Sequence, residues 1–261
     1  MTNPYQDAAD RLWAAQESGV PCSPVRDLLG ETDVEGAYKV QEINTMRRLE
    51  MSRIVGAKIG LTSKVVQKQL GVGQPDYGLL FADMDVLNGG IVPWNALHQP
   101  KVEAEIAFIM GGSLTRKDIT AGEVMASIDN VVPALEIVGS RIAGWDIRIT
   151  DTIADNASSS HFVLGPYSKR LNDVDLLNCS MSLEINGEVK SEGQGRACLG
   201  SPVSALVWLA QTMARQGRPL KAGDVVLSGA LGPMVAVNPG DKCSARIEGL
   251  GEINVEFGEK A

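Results

Sequence analysis

The sequence predicts an α+β fold: a curved β core with flanking helices and a smaller helical N-terminal region. Three observations predict it. Residues 8–19 and 32–52 carry helical patterns. After about residue 75, short β-like runs separated by turn signals dominate. Only two helical patterns interrupt those runs, so the regular βαβ alternation of a parallel sheet is missing. We therefore expect residues 1–75 to form the helical N-terminal region and residues 76–261 the β-rich core.

The elements follow in order. "AADRLWAAQESG" (8–19) is rich in alanine, carries Leu12 and Trp13 on an apolar stripe, and ends at Gly19. "TDVE" (32–35) has the S/T-x-x-E form of a capping box. Behind it Tyr38, Val40, Ile43 and Met46 mark a long helix. "RIVGAKIGLTS" (53–63) reads as a strand ending in a loop. "SKVVQKQLGV" (63–72) reads as a short helix with Ser63 as N-cap and Gly71 as C-cap. "GQPDYG" (73–78) reads as a turn. Strands are expected at 102–110, 131–138, 161–164, 180–186, 188–191, 224–228, 234–237, 243–248 and 252–257. "LEINGEVK" is a hairpin with Asn186-Gly187 as a type I′ turn. Residues 120–129 open with a second capping box. Residues 201–217 form a helix with Ser201 as N-cap, Pro202 at its first position and Gly217 beyond its end.

Composition excludes several classes. The net charge of −8 over 261 residues argues against a nucleic-acid partner. An anionic substrate would be repelled by that field, so its site must supply local positive charge. The four cysteines, Cys22, Cys179, Cys198 and Cys243, are scattered without a CxxC pair, which disfavours a thiolate zinc site. His98 and His161 are too few for a histidine-rich metal site. No G-x-S-x-G elbow is present, which weakens a serine-hydrolase reading. "EGQGRACLG" (192–200) lacks the G-K-[ST] ending of a phosphate loop. The polar N-terminus "MTNPYQDAAD" shows no secretory signal, and apolar runs such as "ALVWLA" are too short to span a bilayer. A cytoplasmic protein with reduced thiols is expected.

"PKVEAEIAFI" (100–109) raises the chemical question. Val102, Ala104, Ile106 and Phe108 alternate with Glu103, Glu105, Ala107 and Ile109. Alternate strand residues share a face, so the two carboxylates are neighbours, about 6–7 Å apart at Cα. Ala107 and Ile109 on that face suggest that it becomes buried. Two buried, unpaired carboxylates repel, and a hard divalent cation between them removes the conflict. A solvated sheet face is the alternative. Glu136 sits in "NVVPALEIVGSR" (130–141), where an ionised side chain is costly unless paired or metal-bound. Arg141 or another surface cation is the alternative partner. Three such glutamates, with waters and substrate oxygens, would complete an octahedral Mg2+ or Mn2+ site.

Other residues are ambiguous singly. Lys58 ends a strand among small residues, or is an ordinary exposed lysine. Asp76 is a polar group in a turn, or only an Asx-turn residue. "DTIADNASSS" (151–160) crowds Asp151, Asp155, Asn156 and three serines together, or is a polar surface loop. Ser228 ends a strand before a glycine turn where backbone could approach a ligand.

Taken together, "KIGLTSKVVQKQLGV-QPDYG", "KVEAEIAF", "VVPALEIVGSRI", "DTIADNAS" and "GALGPMVAVNPGD" follow in a recognisable order. The chain resembles the 2-oxopent-4-enoate (2-hydroxypenta-2,4-dienoate) hydratases, from about residue 5 to the C-terminus. These belong to the hydratase/decarboxylase branch of the fumarylacetoacetate hydrolase superfamily. The resemblance implies a fumarylacetoacetate-hydrolase-like mixed β roll or barrel, with 76–261 as its metal-binding catalytic core. It implies Glu103, Glu105 and Glu136 as ligands of Mg2+ or Mn2+, Lys58 and Asp76 as catalytic groups, and Ser158 as a substrate-binding residue. Ser228 joins the substrate-binding set from its strand-end position alone. The implied reaction adds water to 2-hydroxypenta-2,4-dienoate, giving 4-hydroxy-2-oxopentanoate, in meta-cleavage catabolism of aromatic compounds. A 2-oxo-hex-3-enedioate decarboxylase and a hydratase of a longer 2-oxo-dienedioate are the alternatives. Either would need a cation for a second carboxylate, for which Arg141 and Arg148 are candidates. A homo-oligomer, a pentamer or a multiple of one, is expected.

Overall fold

The computed structural model describes residues 3–63, 67 and 72–260. The helix expected at 63–72 falls mostly outside the described residues. Among them the helices are α1 (Pro4–Ser18), α2 (Arg26–Leu29), α3 (Val34–Arg48), α4 (Ala121–Ala126), α5 (Ile149–Ala154) and α6 (Pro202–Arg215). The strands are β1 (Ile54–Gly60), β2 (Asp76–Phe81), β3 (Asp85–Val86), β4 (Ile91–Val92), β5 (Lys101–Met110), β6 (Ile128–Val138) and β7 (Ser159–Leu164). They continue with β8 (Ser180–Ile185), β9 (Glu188–Gln194), β10 (Val225–Leu227), β11 (Val235–Ala236), β12 (Lys242–Ile247) and β13 (Gly251–Phe257).

One curled, mixed sheet runs β2-β1-β10-β5-β6-β7-β3, with β11 also on β5. The second runs β4-β13-β12-β8-β9. Pairing is parallel between β1 and β10, between β3 and β7 and between β4 and β13, and antiparallel elsewhere. The β1–β10 approach depends on Gly56. A Cβ there would lie 1.8 Å from the Val225 carbonyl oxygen.

The main core joins both sheets and one face of α6, through Leu206, Leu209 and Met213. A second apolar cluster packs α1 and α3 on α5, through Ala8, Leu12, Val40, Ile149 and Ile153. Burying each of the larger of these side chains contributes about 1.5–3 kcal/mol. Residues 142–154 thus pack with the N-terminal helices, while β1 lies inside the main sheet. Packing does not follow the sequence division at residue 75.

Several local expectations need correction. The cap of α3 is Asp33, not Thr32, because the Asp33 side chain reaches the Gly36 N–H. Ser201 occupies the cap position of α6 without a side-chain hydrogen bond. Asp76 opens a fully buried strand instead of lying in a turn; "DYGLLF" has no alternation to mark it. Residues 151–160 are not a surface loop: they form the end of α5, a tight turn and the start of β7, almost wholly buried. Residues Gly195–Arg215 pass as a membrane span by length and composition, contrary to the expectation from their short apolar runs. In the fold they are a 3-10 turn and α6, whose apolar face lies in the main core. The capping box at Thr120 and the positive φ of Asn186 and Gly187 are as expected.

Candidate active site

Register builds the acidic cluster. Glu103 on β5 stands opposite Glu136 on β6, and Glu105 lies two residues along the same face. One oxygen from each of the three approaches the others within 4.8 Å. Glu105 and Glu136 are fully buried, and Glu103 is half-buried. The other face of β5 is wholly apolar: Val102, Ala104, Ile106 and Phe108. A sheet buried on both faces cannot hydrate these charges, so the solvated-face alternative is out.

The neighbouring strands supply Lys58 and Asp76. In the β1–β2 pair, Lys58 faces Gly78 and Gly60 faces Asp76, which places the two charged side chains diagonally on one face. Asp76 packs over bare backbone: a Cβ on Gly60 would meet its Oδ1 at 2.1 Å. Lys58 Nζ lies 3.2 Å from Glu136 Oε1 and donates to the Ala157 carbonyl at 2.8 Å. Lys58 is therefore not an exposed lysine, and it takes the place expected for Arg141. Arg141 instead donates to Asp155 Oδ1 at 2.5 Å and to the Ser159 carbonyl at 3.0 Å. Arg148 is exposed and pairs with Glu31.

The electrostatics are those of a surplus of buried negative charge. Burial raises the Glu103 pKa to about 7, helped by Glu136 and opposed by Lys58. Glu105 is pushed well above the usual carboxylate range by burial, then by Glu136 and Glu103. Burial also raises Glu136, against the pull of Lys58. Asp76 rises to about 6, because burial outweighs the nearby ammonium. A lysine neighbour alone would have lowered it. Burial works against the Lys58 charge, yet Glu136, Asp76, Glu103 and Glu105 together outweigh it and raise its pKa.

Ser158 is buried with its hydroxyl unpartnered among the described residues, in a turn where Asn156, Ala157 and Ser158 all have positive φ. Ser228 is buried too, but backbone engages its hydroxyl on both sides. It accepts from the Ile106 N–H and donates to the Gly229 carbonyl. The next residue acts on the cluster directly: the Gly229 N–H donates to Glu105 Oε2 at 2.8 Å. Cys198 Sγ donates to the Ser228 carbonyl at 2.8 Å, on the far side of the same peptide group. Sequence reasoning missed Gly229, Cys198 and the Arg141–Asp155 pair. No periodicity marks contacts made between segments so far apart in the chain.

The donor set fits a hard divalent cation. Apart from the Lys58 ammonium near Glu136 Oε1, both oxygens of Glu136 and Oε1 of Glu105 are buried without hydrogen-bond partners among the described residues, as are both oxygens of Asp76. Buried carboxylate oxygens are normally satisfied, and an all-oxygen cluster is the chemistry of Mg2+ and Mn2+ sites. The three glutamates are the residues that could hold such an ion.

Comparison with known proteins identifies the fold. Residues 73–257 match the family described as Fumarylacetoacetate (FAA) hydrolase C-terminal. The chain belongs to the fumarylacetoacetate hydrolase family. Within that family it is 56% identical to the TodF product hydratase of Pseudomonas putida strain F1, covering 98% of this chain and 96% of that protein. It is 53% identical to a 2-keto-4-pentenoate hydratase of Paraburkholderia xenovorans strain LB400, covering 97% and 94%. Among solved structures, it is similar to 4-oxalocrotonate decarboxylase from Pseudomonas putida G7, complexed with magnesium and adipate. That match has a TM-score of 0.92, 35% identity, and covers 97% of both chains. The fumarylacetoacetate hydrolase fold accounts for the curled sheet that carries all five charged residues.

Proposed function

We propose that the protein is a divalent-metal-dependent hydro-lyase that adds water to 2-hydroxypenta-2,4-dienoate (2-oxopent-4-enoate), giving 4-hydroxy-2-oxopentanoate in the catabolism of aromatic compounds. The observation that carries this reading is the cluster of Glu103, Glu105 and Glu136, short of partners, beside Lys58 and Asp76. The relatives at 56% and 53% identity carry hydratase names over almost their full length.

Glu103, Glu105 and Glu136 hold Mg2+ or Mn2+. When bound, the ion supplies Lewis-acid stabilisation for negative charge developing on a 2-oxo acid. The chain's own residues divide the proton work. Lys58, its pKa raised, stays an ammonium at neutral pH and acts as donor and electrostatic support, not as base. Asp76, at about 6, exchanges protons near neutrality and is the general base or relay. The Ser158 hydroxyl, buried and without a partner among the described residues, is available to a substrate oxygen or the attacking water. Ser228 acts through the turn that presents Gly229 to Glu105. We place the enzyme in the cytoplasm, as a homo-oligomer built on pentamers, which light scattering after size exclusion tests.

The similarity to a decarboxylase structure keeps a second reading in play. A six-carbon dioate needs a cation for its second carboxylate. Arg141 is committed to Asp155 and Arg148 to Glu31, which favours the monocarboxylate. The test is turnover of purified protein with Mg2+ or Mn2+. Ultraviolet loss of the five-carbon dienol without CO2 release supports the hydratase. CO2 release from 2-oxo-hex-3-enedioate, or hydration of a longer dienedioate in its place, overturns it.

A further inference from the structure

The turn at 156–158 is unusual. Asn156, Ala157 and Ser158 have φ of 54°, 50° and 55°, three consecutive non-glycine residues in the left-handed region. Asparagine tolerates that region, but alanine and serine do so at a steric cost. Such strain persists only where the surroundings impose it, and it gathers at functional sites.

The imposing contact is the Asn156 side chain. Its Oδ1 accepts the Leu79 N–H at 2.7 Å, and its Nδ2 donates to the Leu79 carbonyl at 2.9 Å. β2 ends its sheet, so this one amide does there what a further strand would do. The fit leaves no slack: a Cβ on Gly78 would lie 2.2 Å from the Asn156 carbonyl oxygen. One residue further along, the Ala157 carbonyl accepts the Lys58 ammonium at 2.8 Å. Ser158 follows, with its hydroxyl unpartnered among the described residues. β2 itself begins with Asp76.

We propose that Asn156 is a positioning residue: its amide, clamped to the backbone of Leu79, holds the turn left-handed and so sets the Ala157 carbonyl against Lys58. The clamp fixes the ammonium relative to Asp76 and the glutamates, and places Ser158, without touching substrate itself. Losing it frees the turn to relax toward ordinary backbone angles, and Lys58 loses its hydrogen bond to the Ala157 carbonyl.

The kinetic arm of the test rests on the hydratase reading; the structural arm does not. Asn156→Ala should lower kcat on the five-carbon dienol by about 10²-fold, because misplacement of about 1 Å has that scale of effect. KM should stay within about threefold and the Mn2+ Kd within about twofold, since the glutamates are untouched. Adding Ala157→Gly should recover at least about tenfold in kcat, because glycine enters the left-handed region without the Cβ penalty. In a crystal structure of Asn156→Ala, the Ala157 carbonyl should have left Lys58. Should that variant fail to fold, Asn156→Asp, which keeps one of the two bonds to Leu79, carries the same measurements. Unchanged kcat, loss of Mn2+ binding in step with kcat, no recovery with glycine, or an unmoved Ala157–Lys58 contact would each overturn the proposal. If the wild-type protein leaves the dienol untouched, the hydratase reading fails, and the crystal structure alone decides the role of Asn156.

Discussion

Arg141 and Asp155 share one buried pocket of this fold; Lys58, Asp76 and three glutamates share another. In the first, one cation meets one anion, and the bonds are complete. Asp155 accepts from the Arg141 N–H and from its Nε, while Arg141 also donates to the carbonyls of Asp155 and Ser159. In the second, one ammonium faces four carboxylates, and apart from the Lys58–Glu136 ion pair five of their oxygens find no hydrogen bond among the described residues. Both regions bury charge beside β6 and β7, yet only the first is self-sufficient. A buried ion pair placed for structure is saturated by its own chain, while a cluster placed for chemistry is left short of partners.

The sharpest way to break this comparison is to remove one of the unsatisfied groups. Glu105→Ala or Glu136→Ala should abolish Mn2+ binding in calorimetry and lower turnover on the order of 10³-fold, the scale of losing several kcal/mol of charge stabilisation. A Glu105→Ala protein that works without metal would place the chemistry elsewhere. Arg141→Met should do the opposite. It leaves Asp155 buried and unpaired, a loss of about 3–5 kcal/mol in stability read by urea denaturation, while the Mn2+ Kd stays unchanged. If Arg141→Met weakened Mn2+ binding at wild-type stability, the two regions would not be separate.

The two regions also differed in how far the sequence exposed them. The cluster on β5 was legible because strand geometry forces Glu103 and Glu105 onto one face, and Glu136 stands out in an apolar run. The partner of Glu136 was not. Lys58 comes from a strand separated from β6 by β10 and β5, and register between distant strands leaves no local mark. Arg141 was nearer in sequence, but its chain turns away after Val138 and delivers it to Asp155. Strand β2 was missed because it is buried on both faces, so alternation is absent. The α+β class and the helical start were readable from periodicity. The left-handed turn at 156–158 was not, since Asn-Ala-Ser carries none of the glycines that announce positive φ.

A smaller effect comes from neutralising a carboxylate without changing its shape. Glu105→Gln should stabilise the metal-free protein by about 1–2 kcal/mol at alkaline pH, because burial and its acidic neighbours disfavour the ionised form of Glu105 and glutamine cannot ionise. Asp155→Asn in the saturated pair should destabilise it. Parallel denaturation curves with chelator present check both signs. Stabilisation by Asp155→Asn, or destabilisation by Glu105→Gln, would erase the distinction between the regions.

The gentlest probe is pH. Folding raises Glu103 from 4.5 to about 7 and Asp76 from 3.8 to about 6, in both cases mainly through burial. A raised folded-state pKa means that the native protein holds the proton more tightly than the unfolded chain. The stability these groups contribute is therefore complete below their unfolded values and is lost as pH climbs through their folded values. In chelator, the stability of the wild-type protein should fall between about pH 4 and about pH 7 relative to Glu103→Gln, by at most about 1.4 kcal/mol per pH unit for each proton released. Mn2+ should reverse the trend, because the carboxylates must lose their protons to bind it, so the thermal shift on adding metal should grow with pH over the same window. The Arg141–Asp155 region, already neutralised by its own pairing, should contribute nothing to that growth. A metal-induced shift that is flat across the window, with wild type and Glu103→Gln running in parallel, would mean that the glutamates are not the groups whose protons the metal displaces.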